Sequence, residues 1–306
     1  MSELQAILLT IITASTPLLL AGLGELVVER SGVLNLGVEG MMVMGAVCGF
    51  AAAAATDSPS MGILGAIAAG FAMAMLFAFL TQTLLANQIA TGLALTLFGL
   101  GVSGLIGESY TGQPGVKVPG IEISYLSDLP FIGALVFGHD IIVYLSFALV
   151  TLVAWVLAKT RLGLVIRAVG DNHDSAHALG YPVVVVRYGC ILFGGVCAGL
   201  AGGYLSLVYT PQWIENMTAG RGWIALALVI FATWVPARLV LGAYLFGTVW
   251  IMGLYVQGLG VEVAPQLLAA LPYVVTIAAL VMISRNRTLA KVNTPACIGR
   301  AFVGEQ

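Results

Sequence analysis

Long apolar runs broken by short polar punctuation make up most of the chain, and their length settles its class. A helix needs roughly 20 apolar residues to cross about 30 Å of hydrocarbon. Runs of that size fall near 4–28, 33–55, 61–86, 89–107, 139–158, 184–209, 238–258 and 266–284, with a shorter one at 222–234. The expected fold is an all-α polytopic membrane protein, a bundle of 8–9 transmembrane helices forming a single domain over 1–306.

One interruption stands apart: KTRLGLVIRAVGDNHDSAHALGYP, Lys159 to Pro182, is the only long one that carries several cations. Asp171 or Asn172 can cap a helix there, Gly180 suits the positive φ of a helix C-terminus, and Pro182 stops continuation. A helix of about two turns is marginal on its own in water, so one standing between membrane spans is read as docking into a partner. Placing this loop, 159–183, in the cytoplasm and alternating from it puts Arg30, Arg238, Arg285, Arg287, Lys291 and Arg300 inside as well. Only Lys117 and Arg221 then lie outside, as the positive-inside rule predicts. The count is nine crossings with the N-terminus out, or eight if 222–234 only dips, and the tail 285–306 is cytoplasmic. The external segment 108–138 is polar and turn-rich, with Glu108, Lys117, Glu122 and Asp128. It is either a landing surface for an extracytoplasmic protein or a short lid.

Composition narrows the picture further. Hydrophobic residues make up 60% and charged residues 8%, too little charge for a water-soluble surface. A net charge of −2, with no basic arm, gives no reason to expect nucleic acid. The four cysteines lack metal-type spacing and are read as packing residues. No Lys or Arg precedes Arg30, so the first span is expected to be retained rather than cleaved. None of the three lysines follows a glycine, and HExxH and G-x-S-x-G are absent, so the chain has no P-loop and no motif for chemistry. Transport is the default.

Polar residues at membrane depth are the candidates for its route, because they are kept mostly where they pair or line water. GELVVERSGVLNLGVEG, Gly24 to Gly40, sets Asn35 and Glu39 at a Gly-punctuated break. Glu39 could face a solute, or could lock the break by accepting backbone N–H bonds or pairing with Arg30. YTPQWIENMTAGRGW, Tyr209 to Trp223, offers Glu215, Asn216, Arg221 and Trp223 before a short apolar segment, as interface anchors or as a half-span aimed at a solute. Gln88 and Thr91 are weaker candidates of the same kind. His173 and His177, four apart, suit an exposed partner-facing surface better than zinc. Gly45 with Gly49, and Gly195 with Gly199 and Gly203, have the small-xxx-small spacing of closely packed helices.

Three blocks carry a family resemblance. GELVVERSGVLNLGVEGMMVMGA, RLGLVIRAVGDNHDSAHALGYPVVVVR and TAGRGWIALALVIFATWVPARLVLGAYLFG resemble, in order, the N-terminal signature, cytoplasmic coupling loop and late block of ABC importer permeases. The family is that of the branched-chain amino acid and simple-sugar permeases, and the likeness is greatest to its nucleoside-uptake branch. The resemblance implies a second homologous permease in a heterodimer, a cytoplasmic ATPase with two nucleotide-binding halves, and an extracytoplasmic substrate-binding lipoprotein. It implies ATP and magnesium on the ATPase and no cofactor or metal in this chain. It also implies a place in a bacterial inner membrane. The ATPase contact would run from Arg161 to Gly180, through Arg167, Asp171, Asn172, His173, Ala176 and Leu179. Many relatives carry Pro after the Asn where this chain has His173. The alternatives are the same machine for simple sugars, riboflavin or branched-chain amino acids, or an ion-coupled secondary transporter using Glu39.

Overall fold

The computed structural model describes residues 3–121, 137–258, 264–284 and 293–304. The middle of the external segment and the cations Arg285, Arg287 and Lys291 lie outside the described residues. Eleven α-helices follow one another among the described residues: α1 Glu3–Arg30, α2 Val38–Thr56, α3 Pro59–Ala78, α4 Gln88–Gly107, α5 Ile141–Lys159, α6 Arg161–Asp171, α7 His173–Ala178, α8 Val183–Tyr204, α9 Arg221–Phe231, α10 Pro236–Gly258 and α11 Pro265–Ser284. A π-turn extends α3 through Phe79–Thr83 and another extends α8 through Leu205–Tyr209. Seven helices among the described residues are long and apolar enough to cross a membrane: α1 to α5, α8 and α10. α11 adds a further 20 apolar-rich residues. The protein is therefore multi-pass.

Small residues set the packing. Gly45 of α2 meets the backbone of Gly199 in α8, and Gly70 of α3 lies against Gly195 and Gly199, so closely that a Cβ at either position would overlap main chain. Glycine is required there because backbones can touch only where no side chain intervenes. Burial follows: 72% of the apolar window of α2 is inside the protein, against 28% for α4 and α5. α2 is the axis, and α4 and α5 offer their outer faces to lipid or to another subunit. The core between α1, α2, α3 and α8 is filled by Leu20, Met41, Met42, Phe77, Ile191 and Tyr204.

The apolar run expected to start near 33 is not helical before Val38. Residues 31–37 instead climb beside α4. Leu34 N–H donates to Gln88 Oε1 at 2.9 Å, and Thr96 Oγ1 donates to Leu36 O at 3.0 Å. Gly40 sits against Leu95 and Thr96. At 1.5 Å per residue those α4 positions place the start of α2 about 10 Å inside the bundle, measured from Gln88. Asn35 makes the bend, its Oδ1 accepting from Gly37 N–H at 3.0 Å.

A second discontinuity faces the first. α9 has 11 residues, about 16 Å of helix, too short to cross alone. Its N-terminus stands at Glu39, and its C-terminal turn reaches the Arg30 end of α1, where Arg30 Nη2 donates to Trp234 O at 3.1 Å. The non-helical stretch 210–220 completes the path from the outer end of α8. Both turns that flank α9 contain left-handed residues other than glycine, Asn216 and Ala219 before it and Thr233 and Trp234 after it. Such residues cost on the order of 1–3 kcal/mol each and persist only where surrounding structure holds them.

Candidate functional site

Glu39 is the centre of the inner arrangement. Its Oε1 accepts from Thr218 Oγ1 at 2.5 Å and from Gly220 N–H at 2.8 Å, while Oε2 accepts from Gly222 N–H at 2.6 Å. The first turn of a helix leaves N–H groups unsatisfied and carries partial positive charge, so a carboxylate from another helix closes it well. A Cβ on Gly222 would lie 2.6 Å from the backbone of Glu39. Glu39 therefore binds α9 to the start of α2, and Arg30 turns away from it toward Trp234 O and Asn293 O.

Below this lock lies a cluster of buried polar side chains that the sequence did not single out as a unit. Glu25 and Glu29, one turn apart on α1, are both 1% exposed. Asn35 N–H donates to Glu25 Oε1 at 3.3 Å, and Trp234 Nε1–H donates to Glu29 Oε2 at 2.6 Å. Among the described residues the remaining oxygens, Glu25 Oε2 and Glu29 Oε1, have no hydrogen-bond partner, nor has Gln88 Nε2. No ion pair reaches either carboxylate among the described residues.

The other predicted residues divide by position. Asn35 and Gln88 are buried and hold the break, while Thr91 is half-buried on α4 one turn further along. Arg221 is half-buried, its guanidinium 5.5 Å from the Tyr209 ring and 5.6 Å from the Trp250 ring, with Nη1 donating to Met217 O. That is a cation held between two aromatic faces. Trp223 is half exposed and Asn216 sits in the turn. Glu215 lines a cavity of about 510 Å³ with Glu108, Thr111, Trp213 and Gly104. Glu215 and Glu108 thus line one cavity at the C-terminal end of α4, 107 residues apart in sequence. Residues 111–121 pack onto the chain after α8, with Gly115 N–H donating to Pro211 O and Val118 N–H to Leu207 O.

At the opposite end Asn172 caps α7, its Oδ1 accepting from Ser175 N–H at 3.0 Å, and Gly180 closes the helix at φ +86°. α6 was not anticipated. Thr160 caps it, and Leu162, Ile166 and Val169 at i, i+4 and i+7 are the signal that identifies it. Arg161, Asp171, Asn172, Leu179 and Gly180 are exposed, Leu179 at 78%, and Arg167 is half-buried. His173 and Ala176 point inward and His177 stays exposed, so the histidine pair does not present one exposed face. The His173 and His177 rings both meet Phe302, with centroids 5.4 and 5.2 Å apart. Arg187, wholly buried, reaches three places: Nε donates to Ser31 O at 3.3 Å, Nη1 to Arg300 O at 3.0 Å, and Nη2 to His173 Nδ1 at 3.1 Å. Since arginine can only donate, Nδ1 is the unprotonated nitrogen. Burial, and then the Arg187 charge, push the His173 pKa below its usual value.

A multi-pass helical bundle with two facing chain breaks and a short helix between spans has the architecture of a transport permease. The comparison with known families agrees: residues 7–283 match the model for the branched-chain amino acid transport system permease component, and the chain belongs to that family. It is a permease of the ABC importer class. Among its relatives, TsgC13 of Haloferax volcanii, an ABC transporter permease whose name assigns it to glucose, is 42% identical over 303 residues and 92% of each chain. The nucleoside ABC transporter permease protein NupC of Lactococcus lactis is 30% identical over 92% of this chain and 93% of its own. The guanosine ABC transporter permease protein NupQ of Bacillus subtilis is 32% identical over 76% of each.

Proposed function

We propose that this permease imports a nucleoside. Two relatives at 30% and 32% identity are named for nucleoside or guanosine transport, and they carry the reading. The solute enters at the outer cavity bounded by Glu108 and Glu215 and passes the junction of α9 with α2, where Glu39 sets how the broken crossing is held. The chain crosses the membrane nine times with its N-terminus outside, the stretch 210–220 and α9 together making one discontinuous crossing, and the C-terminal tail is cytoplasmic. α7 is the coupling helix. The exposed residues at its two ends, Asp171 and Asn172 before it and Leu179 and Gly180 after it, dock into a cytoplasmic ATPase with two nucleotide-binding halves, which binds ATP and magnesium. A second, homologous permease completes the route as a heterodimer, and a lipoprotein delivers the solute outside.

A second reading, glucose, is favoured by the 42% relative. Uptake of labelled guanosine and, separately, of labelled glucose by cells carrying the whole transporter separates the two. Guanosine uptake that excess adenosine suppresses and glucose does not is expected. Glucose uptake without guanosine uptake replaces the nucleoside with the sugar.

A further inference from the structure

The C-terminal strap, residues 293–304, closes back across the end of the bundle that carries α6 and α7. Arg30 Nη1 donates to Asn293 O at 2.9 Å, Cys297 N–H to Gly170 O at 2.9 Å, and Gly299 N–H to Gly32 O at 3.1 Å. Arg187 then donates to Arg300 O, and Phe302, 7% exposed, completes a small core with Val169, Ala176 and Val183. The strap thus touches α6, α7, α8 and the 31–32 turn with main-chain hydrogen bonds and one aromatic side chain. Gly32, at φ +85°, opens the segment that climbs to Glu39.

We propose that Arg187 and Phe302 are positioning residues for coupling: through them the strap fastens α7 to the 31–40 segment, so that movement of α7 is delivered to the junction of Glu39 with α9. This rests on the importer reading above. Its physical basis is a run of contacts through buried Phe302, Arg187, His173, Ser31 and Glu39. Phe302 fixes the inward face of α7, and Arg187 ties His173 and Arg300 to Ser31 O. Residues 33–37 rise along α4, and Glu39 holds the N-terminus of α9. Without Phe302 the six residues of α7 keep their Asn172 cap but lose the aromatic contact on their inner side. They are then tied to Ser31 only through the Arg187–His173 contact and can tilt further under load before Ser31 moves.

The test uses the complete transporter with its ATPase and binding lipoprotein in liposomes, and reads nucleoside moved per ATP hydrolysed. Phe302→Ala is expected to lower that ratio at least about fivefold, the lower range of allosteric coupling, with the subunits still co-purifying. Phe302→Tyr, which keeps the ring, is expected to restore it, and a chain ending at Asn293 to behave like Phe302→Ala. An unchanged ratio in Phe302→Ala overturns the proposal. So does a loss confined to assembly, with a normal ratio in whatever complex forms. Wild-type uptake that needs no ATPase would remove the importer reading, whereas a coupled wild type with an indifferent Phe302→Ala removes only this linkage.

Discussion

At the residue scale, the decisive side chain is a carboxylate whose lone pairs are already engaged. Glu39 accepts three hydrogen bonds, two of them from the main chain opening α9. Glu39→Gln keeps the shape but turns one acceptor into an NH₂ group facing N–H donors. Charge-assisted bonds are worth about 1.5–3 kcal/mol each, so the thermal midpoint of the detergent-purified protein is expected to drop along with uptake. Were Glu39 to act on the solute directly, the variant would raise KM with the midpoint unmoved, and measuring both tells the two roles apart. Glu25 is the opposite case. Its carboxyl group is buried, holds one long hydrogen bond and has no cation partner among the described residues. A buried polar atom left without a hydrogen bond costs about 1–3 kcal/mol, and an amide of the same shape leaves no more unsatisfied, so Glu25→Gln is expected to leave the midpoint unchanged or higher. A drop would mean that the Glu25 carboxyl is held by a group outside the described residues. The sequence brought Asn35, Glu39 and Arg30 into one stretch, but not the Thr218, Gly220 and Gly222 partners, because a contact across some 180 positions leaves no local pattern.

At the element scale, α7 joins cap, helix and stop as the residues from Asn172 to Pro182 predict, since those signals are local. What the sequence could not supply is the strap, because Phe302 and Arg300 lie in a polar tail without periodicity and acquire meaning only when folded onto α7. The Gly-punctuated break at Asn35 and Glu39 was legible, but not its extent: VLNLG is apolar enough to read as helix, and only the Asn35 turn and the hydrogen bonds to Gln88 and Thr96 draw it out of one. The strap also makes this end of the molecule sensitive to acid. His173 faces Arg187 from α8, Arg300 from the strap and Asp174 beside it, with His177 across the Phe302 ring. Its pKa is lower folded than the usual value near 6.5. The unfolded segment therefore binds the proton more readily, and the stability that neutral His173 contributes is full above about pH 6.5 and lost as pH falls toward the folded value. Amide exchange of residues 297–303 is expected to quicken beyond the intrinsic rate as pH falls below about 6.5, and not to do so in His173→Gln. Equal protection in both proteins across that range would mean that the proton never reaches the ring.

At the scale of the whole molecule, the cations decide which way the bundle stands. Arg30, Arg187, Arg238 and Arg300 gather with α6 and α7 at one end: Arg30 bonds Trp234 and Asn293, Arg187 bonds Arg300, and Arg238 bonds Thr233 beside Trp234. Lys117 lies at the other, on the segment that packs against the chain after α8, and Arg221 stands above the Glu39 junction between Tyr209 and Trp250. Positive charge is retained on the cytoplasmic side during insertion, and this asymmetry is the ground for the proposed orientation, with α7 and the strap inward and the Glu108–Glu215 cavity outward. The two chain breaks fit a solute route, since half-crossings are tolerated at depth only where protein or a water-filled route surrounds them. Single cysteines at Leu179, 78% exposed on α7, and at Glu215, exposed beside the cavity, make this testable in a background with the four native cysteines replaced. A membrane-impermeant maleimide added to intact spheroplasts is expected to label Glu215→Cys and to spare Leu179→Cys until the membrane is opened. The reverse pattern would put α7 in the outer medium, out of reach of any ATPase, and the coupling role of α7 and the strap would fall with it.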